Sequence, residues 1–204
     1  PYARKRDLAL YELFKKHKII FKTSKDQVIF EKSEITKDDG LPYVVYTPYS
    51  NKWKAKLKEI TLIKYPSETK LDKIISHSYP FLSLNEIGFE KTTIELPEYN
   101  ISEKLVSEYE TTRNFPALKN GTSLIGIHLR FGTISIRKLV QYAAKFKNET
   151  FLKELIWREF FMQILWHFPH TKTQSFKPKY DEIKWVNNEI LFKKWCDGKT
   201  GYPM

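Results

Sequence analysis

The stretch ELIWREFFMQILWHFPH, residues 154–170, decides how the second half of the chain is read. Within FLKELIWREFFMQILWHF the apolar residues are too dense for a single stripe, so the spacing predicts a helix buried on most of its surface. Its first turns nevertheless carry Glu154, Arg158 and Glu159 among the aromatics. Glu154, Trp157, Arg158 and Phe161 fall at i, i+3, i+4 and i+7 and share one stripe, whereas Leu155, Ile156, Phe160 and Met162 lie elsewhere around the helix. Burying charge is costly unless the charges are paired or serve a ligand. Two readings follow: an internal Glu154–Arg158 salt bridge with Trp157 as core, or a polar wall that a ligand completes.

The neighbouring segments extend the helical pattern. ISEKLVSEYETTR, SIRKLVQYAAKF and EILFKKWCDG all follow the 3.6-residue period, so residues 99–204 read as a mostly α-helical domain. Residues 61–98 recur in proline and lack a sustained apolar face, which reads as an interdomain linker with at most one short helical turn. Residues 1–60 read as mixed α and β. YARKRDLALYELFKKH (2–17) spaces Leu8, Leu10, Leu13 and Phe14 for an amphipathic helix. IIF (19–21) and VIF (28–30) are β-branched runs around the polar SKDQ and predict a strand pair, YVVYT (43–47) a further extended run, and TPYSNKWKAKLKEI (47–60) a helix.

Composition narrows the partners. Among 204 residues Lys and Arg outnumber Asp and Glu by 35 to 24, a net charge of +11, which favours polyanions. An aromatic share of 15%, with five tryptophans, adds surfaces on which unstacked bases bind. No run is long and apolar enough to cross a bilayer, and the N-terminus has no secretory signature. The one cysteine, Cys196, has no internal partner, which points to a reducing, cytoplasmic setting. His167 and His170 are interrupted by Pro169 with no third ligand nearby, so no metal site is assigned.

Two weaker signals accompany the stripe. In NGTSLIGIHLRFGTIS (120–135), Gly121-Thr122-Ser123 before an apolar run predicts a helix start, whose N–H groups and hydroxyls suit phosphate oxygens or simply cap the helix. In SEYETTR, Tyr109 and Arg113 stand at i, i+4, so one face offers an aromatic and a cation.

Taken in order along the chain, these motifs resemble the DNA photolyase/cryptochrome family. RKRD, GLPYVVYTPYSNKW, SEYETTRNFPALKNGTS, HLRFGTIS, ELIWREFF, IKWVNN and GKTGYP are similar to successive family signatures. The resemblance implies an α/β remnant of a Rossmann-like antenna domain (1–60), the linker (61–98) and the first half of a helical flavin-binding domain (99–204), that is, an internal piece of a longer protein, inactive by itself. It implies flavin adenine dinucleotide (FAD) held by Tyr109, Thr122, Ser123, Leu124, Ile125, Gly126, Phe151 and Arg158, although Leu-Ile-Gly at 124–126 departs from the family's frequent Arg-Leu-Ser. It implies damaged DNA bound by Arg113, Glu154, Trp157 and Arg158, with Trp157 stacking on a flipped pyrimidine dimer and Glu154 hydrogen-bonding it. Trp185 matches the outer end of a tryptophan chain that photoreduces the flavin. The implied activity is that of a deoxyribodipyrimidine photo-lyase, a carbon–carbon lyase acting as a monomer with FAD and a folate- or deazaflavin-type antenna chromophore. Ala3 stands where folate-type antenna sites use glutamate. A cryptochrome-type photoreceptor is the alternative; Glu154 favours repair.

Overall fold

The computed structural model describes residues 2–63, 65–74, 76 and 80–202, with the backbone alone at Glu68. Pro203 of GKTGYP therefore lies outside the described residues. The chain divides into two compact units, Pro1–Phe161 and Met162–Met204.

The first unit opens with α1 (Tyr2–Lys16), a helix with no fully buried residue. Of its apolar positions, Leu10 and Phe14 are half-buried, whereas Leu8 and Leu13 are exposed. Phe14 packs against Phe21 with ring centroids 5.6 Å apart.

The expected strand pair does not form. Among the described residues there is no β-strand, only an isolated antiparallel bridge between Thr36 and Pro42. That bridge closes the Asp39-Gly40 turn, where Gly40 takes φ +78° and the Asp39 carboxylate accepts the Leu41 N–H at 2.9 Å. Ile29 and Phe30 are buried as the β-branched run suggested, but their N–H groups go to the Glu159 side chain rather than to a partner strand. The YVVYT run is likewise cut short, because Tyr46 already begins α2 (Tyr46–Glu59). The Rossmann-like part of the expectation is thus not seen, and the unit is mostly helical.

α2 buries Tyr49, Ser50 and Trp53. The described residues of 61–98 hold one short 3₁₀ stretch, Ser67–Lys73, as the sequence suggested, and otherwise irregular chain whose apolar side chains Phe81, Leu84 and Phe89 are exposed. Short helices follow: α3 (Glu103–Ser107), whose N-cap Ser102 accepts the Leu105 N–H, α4 (Tyr109–Thr112) and α5 (Gly126–Phe131), closed by Gly132 at φ +70°. α6 (Ile136–Ala143) is capped by Ser135 and buries Ile136, Leu139, Val140 and Ala143, the i, i+3, i+4, i+7 face that its sequence spaced.

α7 (Thr150–His167) carries the deciding stretch. Its buried positions Phe151, Leu152, Leu155, Ile156, Glu159 and Phe160 fall on one half of the helix, while Phe161, Leu165 and Trp166 are exposed, so α7 is less fully buried than its apolar density predicted. No helix among the described residues is long and apolar enough to cross a membrane.

Past the end of α7, the described residues of the second unit hold two 3₁₀ turns, Pro169–Lys172 and Pro178–Tyr180, and α8 (Glu189–Cys196), capped by the Asn188 side chain on the Leu191 N–H. Phe168 meets Phe176 edge-on at 5.0 Å, and Phe192 stacks on Trp195 at 6.0 Å.

Candidate flavin and DNA site

The polar stripe of α7 is paired, but not internally. Glu154 forms its ion pair with Arg113, the residue capping the C-terminal end of α4, and both side chains stay about one-third exposed. The Glu154–Arg158 salt bridge is therefore not the arrangement adopted. Arg158 instead donates to the Gln27 carbonyl at 2.8 Å, to Gln27 Oε1 at 3.4 Å and to the Leu129 carbonyl at 3.5 Å. Burial lowers its pKa and the Glu159 charge opposes that shift. Among the described residues it makes no ion pair, so its positive charge is oriented by carbonyl dipoles and not cancelled by contact with a carboxylate.

One turn earlier, Phe151 is buried and receives the half-buried Tyr109 edge-on, with centroids 5.1 Å apart and planes at 83°. α4 and α7 thus bring four expected residues together: Tyr109 on Phe151, and Arg113 on Glu154. The i, i+4 spacing of Tyr109 and Arg113 puts both on the side facing α7, even though α4 is only one turn long.

Trp157 lies on the next turn and is half-buried. Tyr46 stacks flat on it, Phe160 meets it edge-on at 5.6 Å, and Phe161 lies beside it at 5.4 Å. The Tyr46 hydroxyl donates to the Lys153 carbonyl at 3.0 Å. Burial raises its pKa, and the nearby Glu154 and Glu149 charges add to that.

Behind this wall sits Glu159, fully buried. Its Oε2 accepts the Ile29 N–H at 2.6 Å, and its Oε1 accepts the Phe30 N–H at 3.1 Å and the Trp53 indole N–H at 2.8 Å. Burial keeps its pKa above the ordinary carboxylate value, against three N–H donors that favour the charged form. The Tyr49 hydroxyl is buried near the same carboxylate without hydrogen-bond geometry to any described residue, and burial pushes its ionisation far up.

The loop expected to start a helix does so three residues late. Asn120 and Leu124 adopt left-handed φ of 63° and 52°, which a helix does not accommodate, and α5 begins at Gly126 after Ile125 as N-cap. Thr122 and Ser123 therefore cap nothing. Ser123 is buried, its carbonyl accepting the Asn100 N–H at 2.9 Å, while Leu124 and Gly126 are exposed and Ile125 is buried. The Arg158–Leu129 contact connects α7 to the helix that this loop enters.

Trp185 belongs to the second unit and is 70% exposed. Two contributors, Gln27 and Tyr46, are not singled out by the sequence, and Glu159, conspicuous there as a charge among aromatics, is given no role by it. For Tyr46 a signal existed, an aromatic directly before the Thr47-Pro48 helix start; for Gln27, whose backbone does most of the work, none did.

Comparison with known proteins bears on this arrangement. A family model described as the DNA photolyase domain matches residues 1–69, and one described as the FAD binding domain of DNA photolyase matches residues 151–204. A deoxyribodipyrimidine photo-lyase of Alkalihalophilus pseudofirmus is 29% identical over 98% of this chain and 45% of its own length. That of Synechococcus is 28% identical over all of this chain and 48% of its own. A mitochondrial one of Saccharomyces cerevisiae is 28% identical over 98% of this chain and 41% of its own. The chain spans about half the length of the curated relatives it matches. Two models of one family thus match separate segments, the second of which carries Phe151 and Glu154, and relatives align across nearly all the residues, so along most of its length the chain is similar to the DNA photolyase family.

Proposed function

We propose that this chain is part of a deoxyribodipyrimidine photo-lyase that repairs cyclobutane pyrimidine dimers in DNA under light, with FAD as cofactor. The observation that carries the reading is the wall on α7, where Phe151, Glu154, Trp157 and Arg158 line up and Tyr109 and Arg113 pack against them.

The donor chemistry fits the cofactor. Arg158 offers a cation without a carboxylate partner among the described residues, and Tyr109, Thr122 and Ser123 offer hydroxyls, a set suited to a phosphate-bearing ligand beside the aromatic Phe151. Leu124, Ile125 and Gly126 continue the loop through their backbone. FAD, when bound, supplies the electron that opens the cyclobutane ring.

The protein's own part is to bind and orient. Extruding a dimer from the duplex costs a few kcal/mol, which stacking on the Trp157 indole offsets. Glu154, partly exposed, accepts hydrogen bonds from the extruded bases once Arg113 turns to a DNA phosphate. The excess of cations supplies sequence-independent attraction. Trp185, exposed, is assigned the outer end of the route by which electrons reach the cofactor.

In this reading residues 1–60 end an α/β antenna domain, 61–98 link, and 99–204 begin the helical FAD domain. The whole protein acts as a cytoplasmic monomer, the compartment resting on the single, exposed cysteine. The test is repair of thymine-dimer duplex by the full-length protein with reduced FAD. Repair in blue light and none in darkness is expected; flavin loading without repair indicates the photoreceptor function instead.

A further inference from the structure

Trp157 is not a free-standing indole. Tyr46, the first residue of α2, lays its ring against it with centroids 3.6 Å apart and planes 4° from parallel. The Tyr46 hydroxyl is anchored on the Lys153 carbonyl, one turn earlier on the same helix as Trp157. Phe160 abuts both rings edge-on, at 5.9 Å from Tyr46 and 5.6 Å from Trp157. A parallel stack at this separation leaves no room for a second planar group on that side of the indole. Phe161 also lies beside the indole, with centroids 5.4 Å apart and planes at 23°, and Trp157 keeps part of its surface exposed, so a base can reach the indole only over surface that Tyr46 leaves open.

We propose that Tyr46 is a positioning residue for damage recognition: it fixes the Trp157 ring in one orientation and confines the extruded base to the surface left open. The inference rests on the reading of Trp157 as the stacking platform. Ordinary core packing would not require the ring to be so nearly parallel, nor its hydroxyl to be tied to the backbone of the platform's own helix. The contact also assigns a substrate-site role to a residue in the segment matching the DNA photolyase domain model (1–69), outside the segment matching the FAD domain model (151–204). Holding the indole in place before binding spares the complex the loss of side-chain freedom on stacking.

The experiment measures dissociation constants of the full-length protein for a duplex with one thymine dimer and for the same duplex undamaged, at one salt concentration. Tyr46→Leu should weaken dimer-containing DNA roughly 3–10-fold, the worth of an aromatic pair, and leave undamaged DNA unchanged. Tyr46→Phe keeps the ring and should restore discrimination to within about twofold. If Tyr46→Leu is unfolded by circular dichroism, Tyr46→His, a smaller planar ring, replaces it and should show an intermediate loss. Unaltered discrimination in a folded Leu or His variant, or equal loss on both duplexes, overturns the proposal. Trp157→Ala separates the two claims. If it loses discrimination while the Tyr46 variants keep it, only the Tyr46 role fails; if it keeps discrimination, the platform reading itself fails.

Discussion

Glu159 accepts the indole N–H of Trp53 at 2.8 Å, joining the middle of α7 to the middle of α2 through a fully buried carboxylate. The same two oxygens take the N–H groups of Ile29 and Phe30, which have no strand partner. Three donors of the first sixty residues thus converge on one side chain of the helix that bears Trp157.

Replacing that carboxylate by an amide should be costly. Glu159→Gln keeps the volume but turns an NH₂ group toward N–H donors, leaving at least one unsatisfied, for a loss of about 1–3 kcal/mol. Trp53→Phe removes one donor and leaves the carboxylate two, so its hydrogen-bond cost should be nearer 1 kcal/mol, with any cavity cost added. Urea denaturation of both variants checks the order.

Lys54 donates to Glu149 at 2.9 Å, and this hydrogen bond holds the Glu149 carboxyl below its ordinary value of 4.5. Because the folded pKa lies below the unfolded one, the pair stabilises above the unfolded value and loses that contribution as pH falls through the folded value. Lys54→Met should raise the Glu149 pKa toward its ordinary value, with the Lys153 and Lys58 charges still lowering it, read by carboxyl NMR. With Glu149 substantially exposed, the stability loss at neutral pH should stay under about 1 kcal/mol.

Arg113→Gln should weaken damaged and undamaged duplex alike and reduce the slope of log affinity against log salt by about 0.9, one phosphate contact. Equal salt slopes in the two proteins would assign Arg113 to its Glu154 pair alone.

Leu124 is half-exposed with φ +52°, a conformation that favours glycine. Leu124→Gly should raise stability by up to about 1 kcal/mol, because the relief of strain exceeds the added freedom of the unfolded chain. A thermal melt decides the sign.

The helical half of the chain was legible because its signals are local. α6 buries the face its spacing marked, and α7 runs over the stretch that its apolar density predicted. Tyr109, Arg113, Phe151 and Glu154 likewise meet because helical spacing set their faces. The failures share a cause. VIF is apolar and β-branched, so it is buried, but whether its N–H groups find a strand or a carboxylate depends on a residue about 130 positions away. Arg113 rather than Arg158 takes Glu154 for the same reason, since the nearer cation in sequence is drawn to the Gln27 carbonyl. At 121–125 the local signal itself misled, because left-handed Asn120 and Leu124 delay the helix that the Thr122-Ser123 pair signals.

The carboxylate of Glu159 also bears on what a broken chain would do. The exposed, irregular stretch around Phe81–Phe89 is where a protease would reach the backbone most readily. A nick there would sever the covalent path between α2 and α7, but not the three hydrogen bonds on Glu159, the Tyr46–Trp157 stack or the Arg158–Gln27 contact. The two pieces would stay together as a nicked complex, running as two bands under denaturing conditions and one particle otherwise.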